Sequence, residues 1–265
     1  MPARVWFHPV INMSTPLETF EPHPILAPHY GSKPEKDRFL RGIFDSSAPH
    51  YEGIASWGFL GSGHWYRVQA LKQRSGLKPG MKCLDMAAGT GPTARAVAEV
   101  AGGPDFVTCI EPSFGMVSEA RKLLPAAYAQ GTAEDIPLKS ELFDFMTMGF
   151  ALRHVNNLVK AFREYYRVLR PGGKLFIMDV VKPSNRFGLW LHKIYFRDLL
   201  PRLTRLITGS QEATYLMEYY WETMDQMVPQ ETVLEALRIA GFEDVKHELM
   251  IGCFCEYSAT KSVAK

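Results

Sequence analysis

Past Gly76 the chain alternates between short apolar runs of strand length and segments whose apolar residues recur at helical spacing. The strand-like runs are Met81 to Met86, Phe106 to Ile110, a short one near Ala126 to Gln130, Phe143 to Phe150 and Lys174 to Val181. Near-continuous apolar runs are what strands covered on both faces require. Between them the pattern predicts helices over Pro92 to Ala101, Ser113 to Leu124 and Asn157 to Leu169. In the last, Leu158, Phe162, Tyr165 and Leu169 fall on one stripe, and Pro171 and Gly172 stop it. Regular strand–helix alternation predicts a parallel sheet with helices on both faces. A helix over Gln230 to Ala240 and two strands, Glu243 to Leu249 and Gly252 to Tyr257, would close the chain as an antiparallel hairpin. The expected fold class is therefore α/β: a Rossmann-like, doubly wound, mostly parallel seven-stranded sheet with a terminal antiparallel strand.

Three segments add to this core. Residues 1–34 hold seven prolines and three histidines (His8, His23, His29) and read as an irregular extension, with its histidines solvated. Residues 35–76 read as a helical cover broken by a Gly-Ser segment, Gly58 to Gly63. Residues 77–182 form the cofactor-binding core, 183–228 a helical insertion or lid, and 229–265 the C-terminal helix and strands. From Lys182 to Arg205 the chain has six basic residues (Lys182, Arg186, Lys193, Arg197, Arg202, Arg205) and one acid, Asp198. Phe187, Trp190, Leu191, Ile194 and Tyr195 recur at helical spacing in the same stretch. That pattern suits either an interfacial helix on a membrane or a lid whose apolar stripe packs on the sheet.

Composition narrows little. With 265 residues and a formal net charge of +2, the chain can bury a sizeable core and carries no global signal for nucleic acid. Cys83, Cys109, Cys253 and Cys255 lack zinc or redox spacing and read as reduced thiols, the last two on one strand face. No metal is expected. No apolar run is long enough to cross a bilayer, and no charged-then-apolar leader opens the chain. The expectation is a cytoplasmic protein, with peripheral membrane contact through residues 182–205 left open. Oligomeric state is not readable.

The chemistry concentrates in Leu84 to Gly91, LDMAAGTG, at a strand-to-helix turn. Glycines there let backbone approach a bound nucleoside where a Cβ would collide. Asp85, before the loop, suits the positive amino group of a methionine moiety. Glu111 ends the next strand, where a carboxylate can accept hydrogen bonds from both ribose hydroxyls. Gly131 to Pro137, GTAEDIP, offers Glu134 or Asp135 to an adenine amine and Ile136 to its face. Taken in order, these suit S-adenosyl-L-methionine. The rival is a nicotinamide dinucleotide, since Gly89-x-Gly91-x-x-Ala94 fits the tolerant fingerprint; Asp85 before the loop counts against it.

From Phe39 to Tyr257 the chain resembles the ubiquinone and menaquinone biosynthesis C-methyltransferases. The resemblance rests on FDFMTMGFALRHV (Phe143 to Val155), RVLRPGGKLFIMD (Arg167 to Asp179), Tyr219 to Phe242, and the entry motif FDSSAPHYE (Phe44 to Glu52). There are departures. Glu52 replaces the entry motif's Asp, His154 replaces an Asn, and Asp179-Val180-Val181 replaces a Glu/Asp-Phe-Ser. Gln226 stands where the family has Arg, and Gly-x-His-x-x-Trp becomes Ser62-Gly63-His64-Trp65-Tyr66-Arg67, displacing the Trp.

The resemblance implies a methyltransferase acting on a quinol-like or phenolic ring, prenylated or not. It also implies a cofactor site over Asp85, Ala87, Gly89, Gly91, Glu111, Pro112, Met116, Ala133, Glu134, Asp135 and Met148. The substrate pocket would include Tyr51, His64 and Phe150. Arg153 and His154 are the candidate catalytic residues, the first to hold a phenolate and the second to take its proton. Methylation of oxygen or nitrogen on another aromatic or polyketide, and cofactor binding without methyl transfer, remain alternatives.

Overall fold

The computed structural model describes residues 20–57 and 61–263; residues 1–19, with His8, and Gly58 to Leu60 of the Gly-Ser segment lie outside them. Its seven strands are β1 (Cys83–Met86), β2 (Val107–Ile110), β3 (Ala127–Ala129), β4 (Phe143–Gly149), β5 (Leu169–Val180), β6 (Phe242–Met250) and β7 (Phe254–Lys261), in the order β3-β2-β1-β4-β5-β7-β6. Strands β1 to β5 pair in parallel, and β7 runs antiparallel between β5 and β6. The chain thus winds outward from β1 on one side and from β4 on the other. The crevice where the winding reverses, at the carboxyl tips of β1 and β4, is where such sheets bind ligands.

Alternate residues of one strand supply two cores. Leu84 and Met86 of β1 join Ile110, Met146, Met148 and Ile177 under helices α5 (Leu158–Val168) and α9 (Gln230–Ile239). Cys83 joins Cys109, Phe145, Phe176 and Met178 under α2 (Gly63–Gln73) and α3 (Pro92–Ala101). Helix α4 (Phe114–Leu123) follows β2, capped by the Ser113 hydroxyl, which accepts from Met116 N.

Helix α1 (Lys33–Trp57) carries Pro49 in its interior and lies across the strand tips. The insertion folds into α6 (Arg186–Lys193), a π-helical stretch at Ile194–Leu199, α7 (Leu200–Thr208) and α8 (Gln211–Asp225). A third core, with Ile43, Ile54, Phe196, Leu200, Met217 and Trp221, seals α1 against these helices. A cavity lies between this cover and the sheet.

Several expectations change. Leu169 opens β5 instead of ending α5, and the pairing jumps from Phe143–Leu169 to Phe145–Lys174, so Pro171 and Gly172 sit in a bulge inside the strand. Cys253 lies in the turn before β7, so of that pair only Cys255 is on a strand. The irregular segment ends by Ser32, since α1 starts at Lys33. His23 is not solvated: it is buried, and burial first and Lys36 second lower its pKa to about 4. His29 is also packed, between Glu222 (2.7 Å) and the Tyr215 hydroxyl. This described part of the extension is a strap, with Leu158 N donating to Phe20 O (2.7 Å) and Val228 N to Pro22 O (2.8 Å).

Candidate functional site

One deep cavity opens at the tips of β1, β2 and β4. Two of its lining residues are forced into the left-handed region despite carrying a Cβ: Ala87 at φ 54° after β1, and Phe150 at φ 62° after β4. Strained backbone at strand tips is characteristic of binding sites. Gly149 is needed for close approach, because a Cβ there would meet Thr93 Oγ1 at 2.2 Å.

Glu111 is the anchor of the floor. It is buried, and its two carboxylate oxygens accept from Gly89 N (2.9 Å) and Ser113 N (2.9 Å). Burial pushes its pKa up to about 7, against the pull of those amides. Each oxygen keeps a lone pair, so the group can still take hydroxyls. The glycine loop is braced from above. Glu52 accepts from Thr90 Oγ1 (2.8 Å) and pairs with Arg95, while Asp45 accepts from Gly115 N (2.8 Å) at the start of α4.

The cavity gathers Ala87, Gly89, Glu111, Pro112, Met116, Ala133, Glu134, Met148, Tyr51, Phe150 and His154. It does not gather the rest of the expected set. Gly91 caps α3 at φ 85° and turns away. Asp135 is exposed and closes a turn with Thr132, so of the two acids proposed for the adenine only Glu134 is placed for it. Even Glu134 is partly engaged, through Asn157 N at 3.1 Å. Ile136 packs in the core instead of facing a ring. His64 is exposed and bonded to Glu99 at 3.1 Å, which removes it from the substrate pocket.

Asp85 is fully buried on the α3 face of β1, behind the cavity wall, and neither carboxylate oxygen has a partner within hydrogen-bond distance and geometry among the described residues. Burial raises its pKa to about 8, with Arg67 opposing and Glu111 adding to the rise. It does not line the cavity, and at neutral pH burial keeps its carboxyl largely protonated.

Arg153 likewise does not line it. Its Nη1 donates to Asp179 at 3.1 Å, and its guanidinium lies 3.9 Å over the Tyr220 ring. Both ions are buried, so Arg153 is a positioning residue in this geometry. His154, beside it, does line the cavity, stacked on Tyr219 with ring centroids 5.9 Å apart and edge-on to Phe44. Burial first, then Arg153, Lys36 and His23, hold its pKa well below the usual histidine value, so the ring is neutral at physiological pH. Among the described residues its Nδ1 has no partner, nor has the buried Tyr220 hydroxyl, whose pKa burial pushes up to about 12. Tyr220 and Arg67, both lining residues, were not singled out from sequence. Arg67 stood there only as a displaced Trp; Tyr220 had no signal beyond its family segment.

The residues fit a sulfonium nucleoside: a left-handed cradle, a ribose-ready carboxylate and a buried acid behind the wall. Comparison with known proteins agrees. Residues 32–261 match the ubiE/COQ5 methyltransferase family. A demethylmenaquinone methyltransferase of Chlorobaculum tepidum is 31% identical over 78% of this chain and 86% of its own. The ubiquinone/menaquinone biosynthesis C-methyltransferase UbiE of Shewanella pealeana is 30% identical over 84% of this chain and 91% of its own. A SAM-dependent methyltransferase of Thermotoga maritima, described as a possible histamine N-methyltransferase, superposes with TM-score 0.59 at 22% identity, covering 84% of this chain and all of that one (100%). The 4+2 cyclase SpnF superposes with TM-score 0.62 at 19% identity, over 86% of this chain and 97% of that one. At such identities the likeness is one of fold alone.

Proposed function

The chain belongs to the ubiE/COQ5 methyltransferase family, and from that premise we propose that it methylates a ring carbon of a quinol-like or phenolic acceptor, prenylated and drawn from a membrane surface. It is an S-adenosyl-L-methionine-dependent methyltransferase. When bound, that cofactor supplies an electrophilic methyl group.

A ring carbon is a poor nucleophile until a neighbouring hydroxyl gives up its proton. The observation that carries the reading is that two lining groups able to handle a phenolic proton, His154 Nδ1 and the Tyr220 hydroxyl, have no hydrogen-bond partner among the described residues. His154 accepts the hydroxyl proton. Tyr220, far from ionising, donates a hydrogen bond to the oxygen that becomes negative. Arg153 holds Tyr220 by its ring and lends positive charge from behind. Phe44, Ile54, Phe196, Leu200 and Met217 form the apolar wall against which a ring and its tail would lie. Fixing acceptor carbon and methyl in line is worth up to roughly 7–11 kcal/mol in favourable cases, and a positioned base typically adds about 10²–10⁴-fold.

The membrane part of the reading is supported by the insertion. Phe187 and Trp190 stack at 6.0 Å and are 69% and 57% exposed, and Leu206 is 81% exposed. The apolar stripe of α6 therefore faces outward, while His192 and Phe196 turn inward. No helix among the described residues is long and apolar enough to cross a membrane.

The test is an acceptor panel of reduced naphthoquinols and benzoquinols, with and without prenyl tails, read by release of S-adenosylhomocysteine. Turnover with quinols, and loss of about 10²-fold or more in His154→Ala, supports the reading. Turnover only with heteroatom acceptors, or none lost in His154→Ala, contradicts it.

A further inference from the structure

Arg67 is a buried cation in the cavity wall that the chemistry above leaves unused. Its Nε donates to Thr93 Oγ1 (3.2 Å), its Nη1 to Gly63 O (2.9 Å), and its guanidinium lies 4.7 Å over the Phe150 ring. It is 5% exposed and lines the cavity, yet among the described residues it forms no ion pair and its Nη2 makes no hydrogen bond. An arginine keeps its charge at any accessible pH, and a buried charge without a counter-ion is costly unless something supplies one. Most buried arginines meet a carboxylate; Arg153 meets Asp179.

The position says which anion. Thr93 is in the first turn of α3, just after the glycine loop, and Phe150 follows β4. Glu111, which suits the ribose, is at the tip of β2, and Ala133 and Glu134 suit the base. A cofactor laid from the β2 tip across β1 toward β4 would bring its amino-acid end to the part of the cavity that Arg67 lines. That end carries the cofactor's one carboxylate. The N-terminus of α3 adds partial positive charge on the same side. Asp85 lies on β1 behind the wall on the same side, a buried carboxyl that an α-ammonium brought near it would help to ionise.

We propose that Arg67, where the family pattern has a tryptophan, anchors the α-carboxylate of the cofactor's methionine moiety through its unpartnered Nη2. This rests on the cofactor and not on the identity of the acceptor. An acidic acceptor held by Arg67 is the competing assignment.

Titration calorimetry with S-adenosylhomocysteine and with 5′-deoxy-5′-methylthioadenosine separates the possibilities, because the second ligand keeps base, ribose and sulfur but lacks the amino-acid end. Arg67→Gln should weaken S-adenosylhomocysteine about 10–100-fold, the range of a charge-assisted contact, while methylthioadenosine changes by no more than about 2-fold. Arg67→Lys should recover part of the loss. If Arg67→Gln melts too low to titrate, Arg67→Met, which keeps a stem on Phe150, is read the same way. Equal loss for both ligands would reduce Arg67 to a packing role and overturn the proposal. Unchanged S-adenosylhomocysteine affinity with a raised acceptor KM would also overturn it and assign the cation to the acceptor.

Discussion

Two buried carboxylates beneath the cofactor cradle set the pH behaviour of the free protein. Asp85 rises from an ordinary 3.8 to about 8, and Glu111 from 4.5 to about 7, both chiefly through burial. Between the ordinary and the raised value the folded state holds a proton that the unfolded chain releases. Their contribution to stability is therefore complete below about pH 4 and lost as pH rises through 7 to 8. Denaturant unfolding of the ligand-free protein should show Asp85→Asn gaining on wild type between pH 5 and about 8.5; a constant difference across that window would contradict the assignment. His154 has the opposite sign. Its lowered pKa means that its protonation costs stability as pH falls below the ordinary 6.5. A low-pH limb in the rate profile that belongs to His154 should sit well below that value and vanish in His154→Ala. Glu111→Ala should weaken cofactor binding by about 1.5–3 kcal/mol in calorimetry, since hydroxyl bonds to a charged group are of that size. Arg153 belongs with structure as much as chemistry: Arg153→Met leaves Asp179 buried and unpaired and should cost about 3–5 kcal/mol of stability by denaturant unfolding. Loss of turnover with full stability would instead return Arg153 to the substrate.

At the scale of elements, the insertion is where pattern and packing diverge most instructively. A single apolar stripe at helical spacing cannot say which way it faces, because sheet-packed and membrane-facing helices share it. The π-helical stretch at Ile194–Leu199 is what divides the labour here, with Phe196 and Leu200 turned to the chamber and Phe187, Trp190, Leu206 and Ile207 left outside. Arg186, Lys193, Arg202 and Arg205 form no ion pair among the described residues, so their charge is available to an anionic surface. Flotation with anionic vesicles should recover the protein at low salt, with binding lost at high salt or when Arg186, Lys193 and Arg197 become Gln; each cation near the leaflet contributes about 1 kcal/mol. Equal failure with anionic and neutral vesicles would rule out this surface. Strand and helix positions in the core were legible because apolar runs and breakers there coincide. The bulge in β5 was not, since Pro171 and Gly172 read as a helix stop, and a stop followed at once by a strand can also be a strand that bulges.

For the whole molecule, the sheet order gathers the cavity at the carboxyl tips around the reversal between β1 and β4, and that much follows from strand–helix alternation plus one glycine loop. Backbone-borne features of the site were therefore readable: the loop at Gly89, the acid at Glu111, the tip of β4. What was not readable depends on side chains from the cover. His64 sits one helical face away from the chamber and Arg67, three residues on, points into it, a difference that sequence spacing near an interrupted segment does not fix. Asp85 was legible as a charge but not as a sealed one, because its face of β1 is set by the register with Thr147. A cyclase among the structural neighbours shows that the fold alone does not dictate methyl transfer. The central claim is methyl transfer to carbon, and the most direct measurement is the ¹³C spectrum of the product made with methyl-labelled S-adenosyl-L-methionine and a reduced quinol. A labelled aryl-methyl signal is the predicted result; a labelled methoxy or N-methyl signal, or no label in the acceptor, would contradict it.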